Sequence, residues 1–312
     1  MKVLITGASG LVGRALQDRL KESHDYIVYT ASSSECNLEN YEETLNYFRQ
    51  VLPTYVIHLA AHVGGLYKNL EYKVDMLEKN VRMNTNVLQV CHKVGVKKVI
   101  SCLSTCIFPD KTTYPINETM LHEGPPHFSN DAYAYSKRLL EVHSRAYQEQ
   151  YNKDFICVIP TNIYGPHDCF SLENGHVIPS LIHQCYQAKK FKKKFIVKGT
   201  GRPLRQFIYS KDLAQLLQWV LEKYKDRDPI ILSVPEKDEV SIDTVAKLIA
   251  QEFEYTSFLE YDSTFSDGQF KKTADNRKLA EVFPDFEYTT IEKGIHETVE
   301  WFCTNYETCR KC

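Results

Sequence analysis

The chain has 312 residues, of which 43% are hydrophobic and 25% charged, and its formal net charge is −2. This length and composition suffice for one large domain or two coupled ones. The near-neutral charge provides no overall field that would attract nucleic acid or an anionic membrane. No apolar run approaches the roughly 18–20 residues that span a bilayer. We therefore predict neither nucleic acid nor membrane as a partner.

The chain start and the cysteines bear on the compartment. The first residues, MKVLITGASG, enter a strand-like segment at once, with no room for a signal peptide before it. Ten cysteines are scattered along the chain, a usage typical of reduced thiols in the cytoplasm. Cys303, Cys309 and Cys312 lie close together, but a zinc site needs about four ligands at paired spacing. We predict a cytoplasmic protein without a metal site.

The first half of the chain alternates apolar strands with helices. Strands are predicted over residues 2–7, 26–32, 55–61, 97–104 and 155–162, and helices over 11–22, 40–51, 78–95 and 133–151. Such alternation is typical of a parallel sheet covered by helices on both faces. The predicted fold class is therefore α/β, a Rossmann-type doubly wound sheet.

After about residue 165 the alternation loosens into a loop rich in Gly and Pro. We predict a cofactor-binding domain over residues 1–165 and a smaller, mainly substrate-binding domain over 166–312, with part of 205–235 returning to the first. The charge run KKFKKKF, residues 189–195, is either a solvated surface or an attraction for a diphosphate.

A glycine pattern follows the first predicted strand. Gly7, Gly10 and Gly13 form G-x-x-G-x-x-G between that strand and the first predicted helix. Glycine permits the tight turn and lets the backbone approach a pyrophosphate, which then meets the helix N-terminus. We predict a dinucleotide held by the loop residues Gly7, Ala8, Ser9, Gly10, Leu11, Val12 and Gly13.

The end of the second predicted strand distinguishes NAD from NADP, because an acidic residue there would bind the ribose 2′-hydroxyl of NAD. Residues 32–34 are all serine, and Glu35 comes late. Serine hydroxyls can bind a 2′-phosphate, whereas a carboxylate would repel it. These residues favour NADP.

Four further side chains suggest chemistry. Tyr133 and Lys137, four residues apart, would share one face of a predicted helix. A nearby ammonium favours the phenolate, so we expect Lys137 to lower the pKa of Tyr133 from its usual value of about 10. Earlier, Ser104 ends a predicted strand and Cys106 follows. If that strand runs to residue 106, both side chains point to the same side.

Together, T-G-x-x-G-x-x-G, the strand-end serine and Y-x-x-x-K resemble the extended short-chain dehydrogenases/reductases. Longer stretches resemble the GDP-L-fucose synthase family within that group. They are AAHVGGLYKN, STCIFP, PTNIYGPHDCF, NGHVIP, GRPLRQFIYSKDLA and SDGQFKKTADNRKL. The resemblance runs nearly end to end.

The resemblance implies that GDP-4-keto-6-deoxy-D-mannose is epimerised at C3 and C5 and then reduced at C4 by NADPH, which gives GDP-L-fucose. Inverting a carbon beside a ketone takes two acid/base groups, one on each face of the sugar. The resemblance assigns Cys106 as the base and His176 as the acid. It assigns Tyr133 to protonate the C4 oxygen, Ser104 to hydrogen-bond that oxygen, and Lys137 to hold the nicotinamide ribose.

The resemblance also assigns binding residues. Expected cofactor contacts beyond the glycine loop are Leu59, Ala60, Ala61, Lys137, Pro160, Thr161, Asn162, Ile163 and His176, and expected substrate contacts are Gln184, Lys198, Arg205 and Asp267. Two of these depart from the family pattern. Gln184 stands where a basic residue is usual, and Lys198 stands where a tryptophan is usual, although Lys198 can restore the missing charge.

Other interpretations share part of this evidence. A sugar-nucleotide 4-epimerase or 4,6-dehydratase has the same glycine loop, tyrosine and lysine. A 4,6-dehydratase would have an acidic residue just after the strand-end serine, where this chain has Thr105 and Cys106. A non-catalytic NADP-binding protein would be expected to have lost Tyr133 or Lys137.

The resemblance also implies a homodimer, paired through helices near residues 80–94 and 134–150. Met83, Val87 and Val94 lie at roughly helical spacing in the first of these. The same residues could equally pack inside one chain.

Overall fold

The computed structural model describes residues 1–267 and 269–311. The chain divides into two compact units. The first contains residues 1–112, 117–160 and 213–232, and the second contains residues 113–116, 161–212 and those from 233 onward. In this division, residues 161–165 belong to the second unit, and the segment that returns to the first unit is 213–232.

The strands in chain order are β1 (Lys2–Thr6), β2 (Ile27–Ala31), β3 (Tyr55–His58), β4 (Lys98–Cys102), β5 (Asp154–Pro160), β6 (Asn162–Tyr164), β7 (Phe195–Lys198), β8 (Leu204–Arg205), β9 (Phe207–Tyr209), β10 (Ile230–Leu232), β11 (Val240–Ser241) and β12 (Leu259–Asp262). The helices are α1 (Leu11–Glu22), α2 (Tyr41–Val51), α3 (Leu66–Glu71), α4 (Lys73–Lys93), α5 (Asp131–Tyr151), α6 (Val177–Lys190), α7 (Ser210–Glu222), α8 (Ile242–Glu252), α9 (Arg277–Val282) and α10 (Ile291–Thr304). Short 3-10 helices occupy Thr105–Ile107, Glu118–His122, Glu236–Asp238 and Thr256–Phe258.

A six-stranded sheet forms the centre of the first unit, in the order β10-β5-β4-β3-β1-β2. Every neighbouring pair in it is parallel. The inner strands are almost continuously buried, as expected for a parallel sheet covered on both faces. The predicted α/β fold with a doubly wound parallel sheet is confirmed.

Local signals explain where the helices beside this sheet begin and end. The Asn40 side chain accepts the Glu43 N–H and caps α2, which ends at Leu52 in a left-handed conformation. Asn152 ends α5 in the same conformation, which asparagine tolerates well. Several predicted bounds were wrong. Helix α4 begins at Lys73, before the expected residue 78. Strand β3 ends at His58 rather than residue 61, β4 at Cys102 rather than 104, and β5 at Pro160 rather than 162.

A buried lysine fastens the returning segment to the first unit. Lys98, on β4, is 6% exposed. Its Nζ donates to the carbonyls of Val220 and Tyr224, each at 2.7 Å. These carbonyls lie at the C-terminal end of α7, where helix carbonyls lack backbone partners. Lys98 therefore satisfies the end of α7 while its own charge is held inside the unit.

In the described part of the second unit, the strands form three two-stranded pairs. Strands β6 and β9 are parallel, β7 and β12 are parallel, and β8 and β11 are antiparallel. Helices α6, α8 and α10 pack around a buried cluster that includes Phe170, Phe195 and Phe302. Among the described residues of both units, no helix has the length and apolar character needed to cross a membrane.

Candidate active site

The glycine loop follows β1 in the first unit. Gly7 has φ +70°, a conformation that favours glycine. A Cβ on Gly13 would stand 2.5 Å from the Gly7 carbonyl oxygen, so only glycine fits there. Gly10 is the N-cap of α1 and has no side chain to occupy the exposed N–H groups. The loop thus presents backbone donors at a helix N-terminus, an arrangement that binds phosphate.

The residues after β3 lie against this loop. A Cβ on Gly7 would stand 2.7 Å from the Ala60 nitrogen. The Leu59 N–H donates to the Thr6 carbonyl at 3.2 Å. The structure therefore brings residues 59–61 together with the glycine loop. Pro160 ends β5 in the first unit, whereas Thr161, Asn162 and Ile163 belong to the second unit.

Ser32, Ser33 and Ser34 follow β2 as predicted, and the side chain of Glu35 folds back onto Ser32. The Glu35 carboxylate accepts the Ser32 N–H at 3.0 Å and the Ser32 hydroxyl at 2.6 Å. These hydrogen bonds lower the pKa of Glu35. Ser32 and Ser34 share a further hydrogen bond of 3.0 Å. The Glu35 carboxylate thus already accepts hydrogen bonds from Ser32, one of the serines that we expected to bind a 2′-phosphate.

Ser104 and Cys106 share one turn, for a reason that the sequence did not predict. Because β4 ends at Cys102, strand alternation cannot place their side chains together, and that expectation was wrong. Ser104 instead caps a 3-10 helix, and its Oγ accepts the Cys106 N–H at 3.4 Å. Both side chains are partly exposed.

Helix α5 fixes this turn through two cations. Lys137 is 2% exposed, and its Nζ donates to the Cys102 carbonyl at 2.8 Å. The neighbouring Arg138 Nε donates to the Ile107 carbonyl at 2.6 Å. These two bonds hold the strand end and the 3-10 helix on either side of Ser104. The turn is therefore set directly against the helix that bears Tyr133.

Tyr133 and Lys137 lie together, with the Lys137 Nζ 5.9 Å from the centroid of the Tyr133 ring. The expected lowering of the Tyr133 pKa was wrong. Burial raises this pKa well above its ordinary value, and interactions with Cys106 and Cys102 raise it further. Burial also lowers the pKa of Lys137. Tyr133 is consequently a protonated phenol that can donate a proton.

His176 lies in the second unit, where it is exposed and forms the N-cap of α6 without a side-chain capping bond. A carboxyl group that the sequence did not single out lies near it. Asp168 is 4% exposed, and its Oδ1 accepts the Cys169 N–H at 2.7 Å. The other oxygen, Oδ2, is buried and has no hydrogen-bond partner among the described residues.

The loop folds so that a neighbour of Asp168 in the chain contacts a neighbour of His176. A Cβ on Gly175 would stand 2.8 Å from the Cys169 carbonyl oxygen. Cys169 follows Asp168, and Gly175 precedes His176. Burial raises the pKa of Asp168 to about 6, and the charges of His176 and Arg310 oppose that shift. No residue type or spacing in this Gly- and Pro-rich loop could have identified Asp168.

The expected substrate contacts lie around β7, β8 and β12 in the second unit. The Gln184 Nε2 donates to the Ile196 carbonyl at 2.9 Å. Lys198 ends β7, and its Nζ lies 4.9 Å from the Phe265 ring centroid.

Two of these residues, Asp267 and Arg205, already form hydrogen bonds within the second unit. The Asp267 carboxylate accepts the Thr200 N–H and hydroxyl, each at 2.6 Å. Arg205 donates to the carbonyls of Leu204 and Gln269 at 2.7 and 2.8 Å, and burial lowers its pKa. The structure therefore groups Gln184, Lys198, Arg205 and Asp267 in one unit.

The cysteines differ from expectation at one position. Cys169 is disulfide-bonded, so the prediction of reduced thiols throughout was wrong there. Cys312, part of the C-terminal group considered above, lies outside the described residues. Within the described part of the chain, no three His, Cys, Asp or Glu side chains are placed to hold a metal ion.

Comparison with known proteins agrees with this architecture. The model of the NAD dependent epimerase/dehydratase family matches residues 3–234. The chain belongs to this family.

More specific similarities narrow the family. The chain is 53% identical to GDP-L-fucose synthase of Dictyostelium discoideum, covering 99% of this chain and 97% of the relative. It is 48% identical to a probable GDP-L-fucose synthase of Drosophila melanogaster, covering 99% of both chains. A crystal structure of a GDP-L-fucose synthetase from Naegleria fowleri bound to NADP has a TM-score of 0.96 and 48% identity, and covers 99% of this chain and 95% of that one. The resemblance predicted from the sequence is confirmed.

Proposed function

We propose that this protein is an NADPH-dependent enzyme that converts GDP-4-keto-6-deoxy-D-mannose to GDP-L-fucose. It epimerises the sugar at C3 and C5 and then reduces C4. The observation that carries this proposal is the turn with Ser104 and Cys106, fixed by Lys137 and Arg138 to the helix that bears Tyr133. A reductase alone would not need a thiol in that position. The NADP in the Naegleria fowleri structure agrees with the predicted cofactor.

The first unit has what a dinucleotide cofactor requires. Its glycine loop offers backbone N–H groups at the N-terminus of α1, which suits the pyrophosphate. Lys137 follows the buried residue Ser136 in α5. One N–H of its ammonium donates to the Cys102 carbonyl, so the remaining N–H groups can bind the nicotinamide ribose. When bound, NADPH supplies the hydride for C4.

The protein's own groups would perform the proton transfers. The 4-keto group acidifies the protons at C3 and C5, and Cys106 removes them as thiolate. His176 returns a proton to the opposite face. Tyr133, held as the phenol, protonates the C4 oxygen during reduction, and the Lys137 charge stabilises the phenolate that remains. Ser104 donates a hydrogen bond to the same oxygen.

The four grouped residues of the second unit would bind the GDP portion. Arg205 is suited to a diphosphate because a guanidinium can form two parallel hydrogen bonds. Lys198 supplies a cation beside the exposed Phe265 ring. We assign the first unit to the cofactor and the second mainly to the sugar nucleotide.

Solvent isotope exchange tests the assignment of the base. The Cys106→Ser variant should lose solvent deuterium incorporation at C3 and C5, while it still reduces C4 of an already epimerised substrate. Cys102→Ser is a matched control at the end of β4, and it should exchange normally, because Lys137 binds the Cys102 carbonyl rather than its thiol. Normal exchange by Cys106→Ser would show that the base is another residue. No NADPH oxidation with any keto-sugar nucleotide would contradict the enzyme itself.

We also propose a cytoplasmic homodimer that pairs through α4 and α5. Tyr135, Leu139 and Val142 lie on one face of α5 and are 47%, 46% and 38% exposed. On α4, Val74 and Leu77 are 66% and 39% exposed. These apolar side chains support pairing better than Val87, which is fully buried inside the first unit.

Sedimentation can test the dimer. Leu139→Arg should shift the wild-type dimer to monomer, because it places a charge in the centre of the apolar face. A wild-type chain that sediments as a monomer at micromolar concentration would refute the assembly.

A further inference from the structure

A row of buried polar groups crosses the first unit, starting next to the glycine loop. Thr6 ends β1 and His58 ends β3, and they face each other across the sheet. Asn84 lies on α4 and Ser136 on α5. All four residues are at most 3% exposed. Buried polar groups of this kind require hydrogen-bond partners. The side chains of Thr6, His58 and Asn84 supply one another, and Ser136 takes part through its backbone carbonyl.

The hydrogen bonds connect the four residues in sequence. The Thr6 Oγ1 lies 2.7 Å from the His58 Nδ1. The His58 Nε2 lies 3.0 Å from the Asn84 Oδ1. The Asn84 Nδ2 donates to the Ser136 carbonyl at 3.5 Å. At the other end, the Ala60 N–H donates to the Thr6 Oγ1 at 3.3 Å.

The ends of this row determine the role of each atom between them. Because the Asn84 amide nitrogen faces a carbonyl, its Oδ1 must be the acceptor toward His58. The His58 Nε2 therefore holds the proton, and Nδ1 accepts. The Thr6 hydroxyl accepts from Ala60 and donates its own hydrogen to Nδ1. One tautomer satisfies the whole row.

The charge around His58 agrees with a neutral ring. The charged group that faces it is the ammonium of Lys137, which would repel an imidazolium. Burial, followed by this charge, lowers the pKa of His58 to about 4, and the hydrogen bond to Asn84 opposes the shift only in part. The ring therefore stays neutral near physiological pH, and no step of the proposed reaction uses it.

We propose that His58 is a positioning residue that sets Lys137 relative to the glycine loop, acting as a neutral imidazole in its Nε2–H tautomer. The row begins at Thr6, next to Gly7, and ends at Ser136, next to Lys137. It ties the strand that leads into the glycine loop to the helix that bears Tyr133 and Lys137. The expected effect on the rate of C4 reduction rests on the proposed function. The tautomer and the neutral state of the His58 imidazole do not depend on it.

The matched variants Thr6→Val and Thr6→Ser test the kinetic consequence. Valine keeps the shape of threonine but removes the hydroxyl, which leaves the His58 Nδ1 and the Ala60 N–H unpaired. We expect kcat for C4 reduction to fall about tenfold, as for a lost buried hydrogen bond. The deuterium isotope effect with 4-deuterated NADPH should rise, because a misplaced Lys137 slows hydride transfer. Thr6→Ser keeps the hydroxyl and should restore both values to within about twofold of wild type.

A structural role without positioning would give a different result. Thr6→Val would then melt at lower temperature than Thr6→Ser, while the folded fraction of both variants kept the wild-type kcat and isotope effect. That outcome would overturn the proposal. Circular dichroism at the assay temperature establishes the folded fraction for each variant.

Nitrogen NMR of the wild-type imidazoles tests the tautomer without any assay of activity. His58 should give the shifts of an Nε2–H neutral ring from pH 8 down to pH 5. The resonance can be assigned with the Thr6→Val variant, in which the Nδ1 shift should move. An imidazolium or an Nδ1–H ring in this range would refute the inference, even if turnover is normal. If wild type turns over no keto-sugar nucleotide but shows the expected tautomer, only the proposed function fails.

Discussion

The two units hold their candidate site residues in opposite ways. In the first, Lys137 is 2% exposed and is bonded to a backbone carbonyl, and the turn with Ser104 and Cys106 is fixed by α5. In the second, His176, Lys198 and Asp267 are exposed. The first unit thus buries the Lys137 cation, whereas these three side chains of the second unit remain in contact with water.

This difference suits two kinds of work. Hydride and proton transfer depend on distance and orientation, so groups held in a rigid, water-poor environment are effective. Recognition of a charged nucleotide by exposed side chains costs little in the folded protein but yields little energy per contact. We therefore expect large effects on turnover from changes in the first unit, and smaller effects on affinity from changes in the second.

The largest expected effect concerns Tyr133, the proposed proton donor. Tyr133→Phe should lower kcat for C4 reduction by about 10²–10⁴-fold, the range for loss of a general acid. Tyr135→Phe is a matched control on the same helix, since Tyr135 is 47% exposed, and it should turn over normally. The assay is NADPH oxidation with pre-epimerised substrate. A loss below about tenfold would show that Tyr133 is not the acid.

The next effect concerns stability in acid. The folded-state pKa of His58, about 4, lies below its unfolded value of about 6.5, so the unfolded chain binds the extra proton between these values. The His58 contribution is therefore complete above pH 6.5 and is lost as the pH falls toward 4. It amounts to about 3 kcal/mol.

Urea unfolding of wild type and His58→Gln between pH 7.5 and 4.5 measures this contribution. The gap in unfolding free energy between the two proteins should narrow with falling pH. A gap that does not change with pH would contradict a neutral buried His58. If the variant does not fold, NMR titration of His58 in wild type gives the same answer.

In the second unit, the Asp168→Asn substitution should increase stability but decrease activity. Its raised pKa means that the folded state binds more protons between the unfolded value and about 6, so stability falls as pH rises through that window. Asp168→Asn should therefore stabilise the protein at pH 8 by about 2–3 kcal/mol relative to pH 4. It should also slow deuterium exchange about tenfold, because the substitution removes the electrostatic interaction between the Asp168 carboxylate and His176.

The pH dependence of the stability change distinguishes an electrostatic role of the Asp168 carboxylate from a role in packing alone. A stability gain that is equal at pH 4 and pH 8, or unchanged exchange, would show that Asp168 acts only in packing. Thermal melts and exchange rates on the same samples provide both measurements.

The smallest expected effect is at the exposed surface. Lys198→Ala should raise KM for the sugar nucleotide about two- to fivefold without changing kcat, because an exposed charge contributes little. Lys194→Ala, just before β7, is the matched control and should leave KM unchanged. A change in kcat would mean that the second unit also orients the reacting sugar.

Much of the first unit could be predicted from sequence because its signals are local. The glycine pattern, the apolar strands and the spacing of Tyr133 and Lys137 each depend on neighbours within one or two elements. The end of β4 was placed wrongly because it depends on a capping bond from Ser104. That bond competes with extension of the strand, and its outcome is not visible in the residue types.

The pKa of Tyr133 shows a second limit. Spacing on a helix indicates which charges are near, but not how much water is excluded. In the structure, burial outweighs the nearby ammonium. The same limit applies to Asp168 and His58, whose roles depend on contacts across the fold rather than along the chain.

The bonds from Lys98 to Val220 and Tyr224 span 122 and 126 residues, and this separation constrains synthesis. The ribosome releases β5 before β10, and the first stretch of the second unit emerges between them. Until β10 arrives, β5 presents an open edge that invites aggregation, and the Lys98 ammonium lacks both carbonyls. A nascent chain that ends near residue 160 therefore cannot complete the first unit. The first unit is finished only after residues 161–212 of the second unit have emerged, so the synthesis of the two units overlaps.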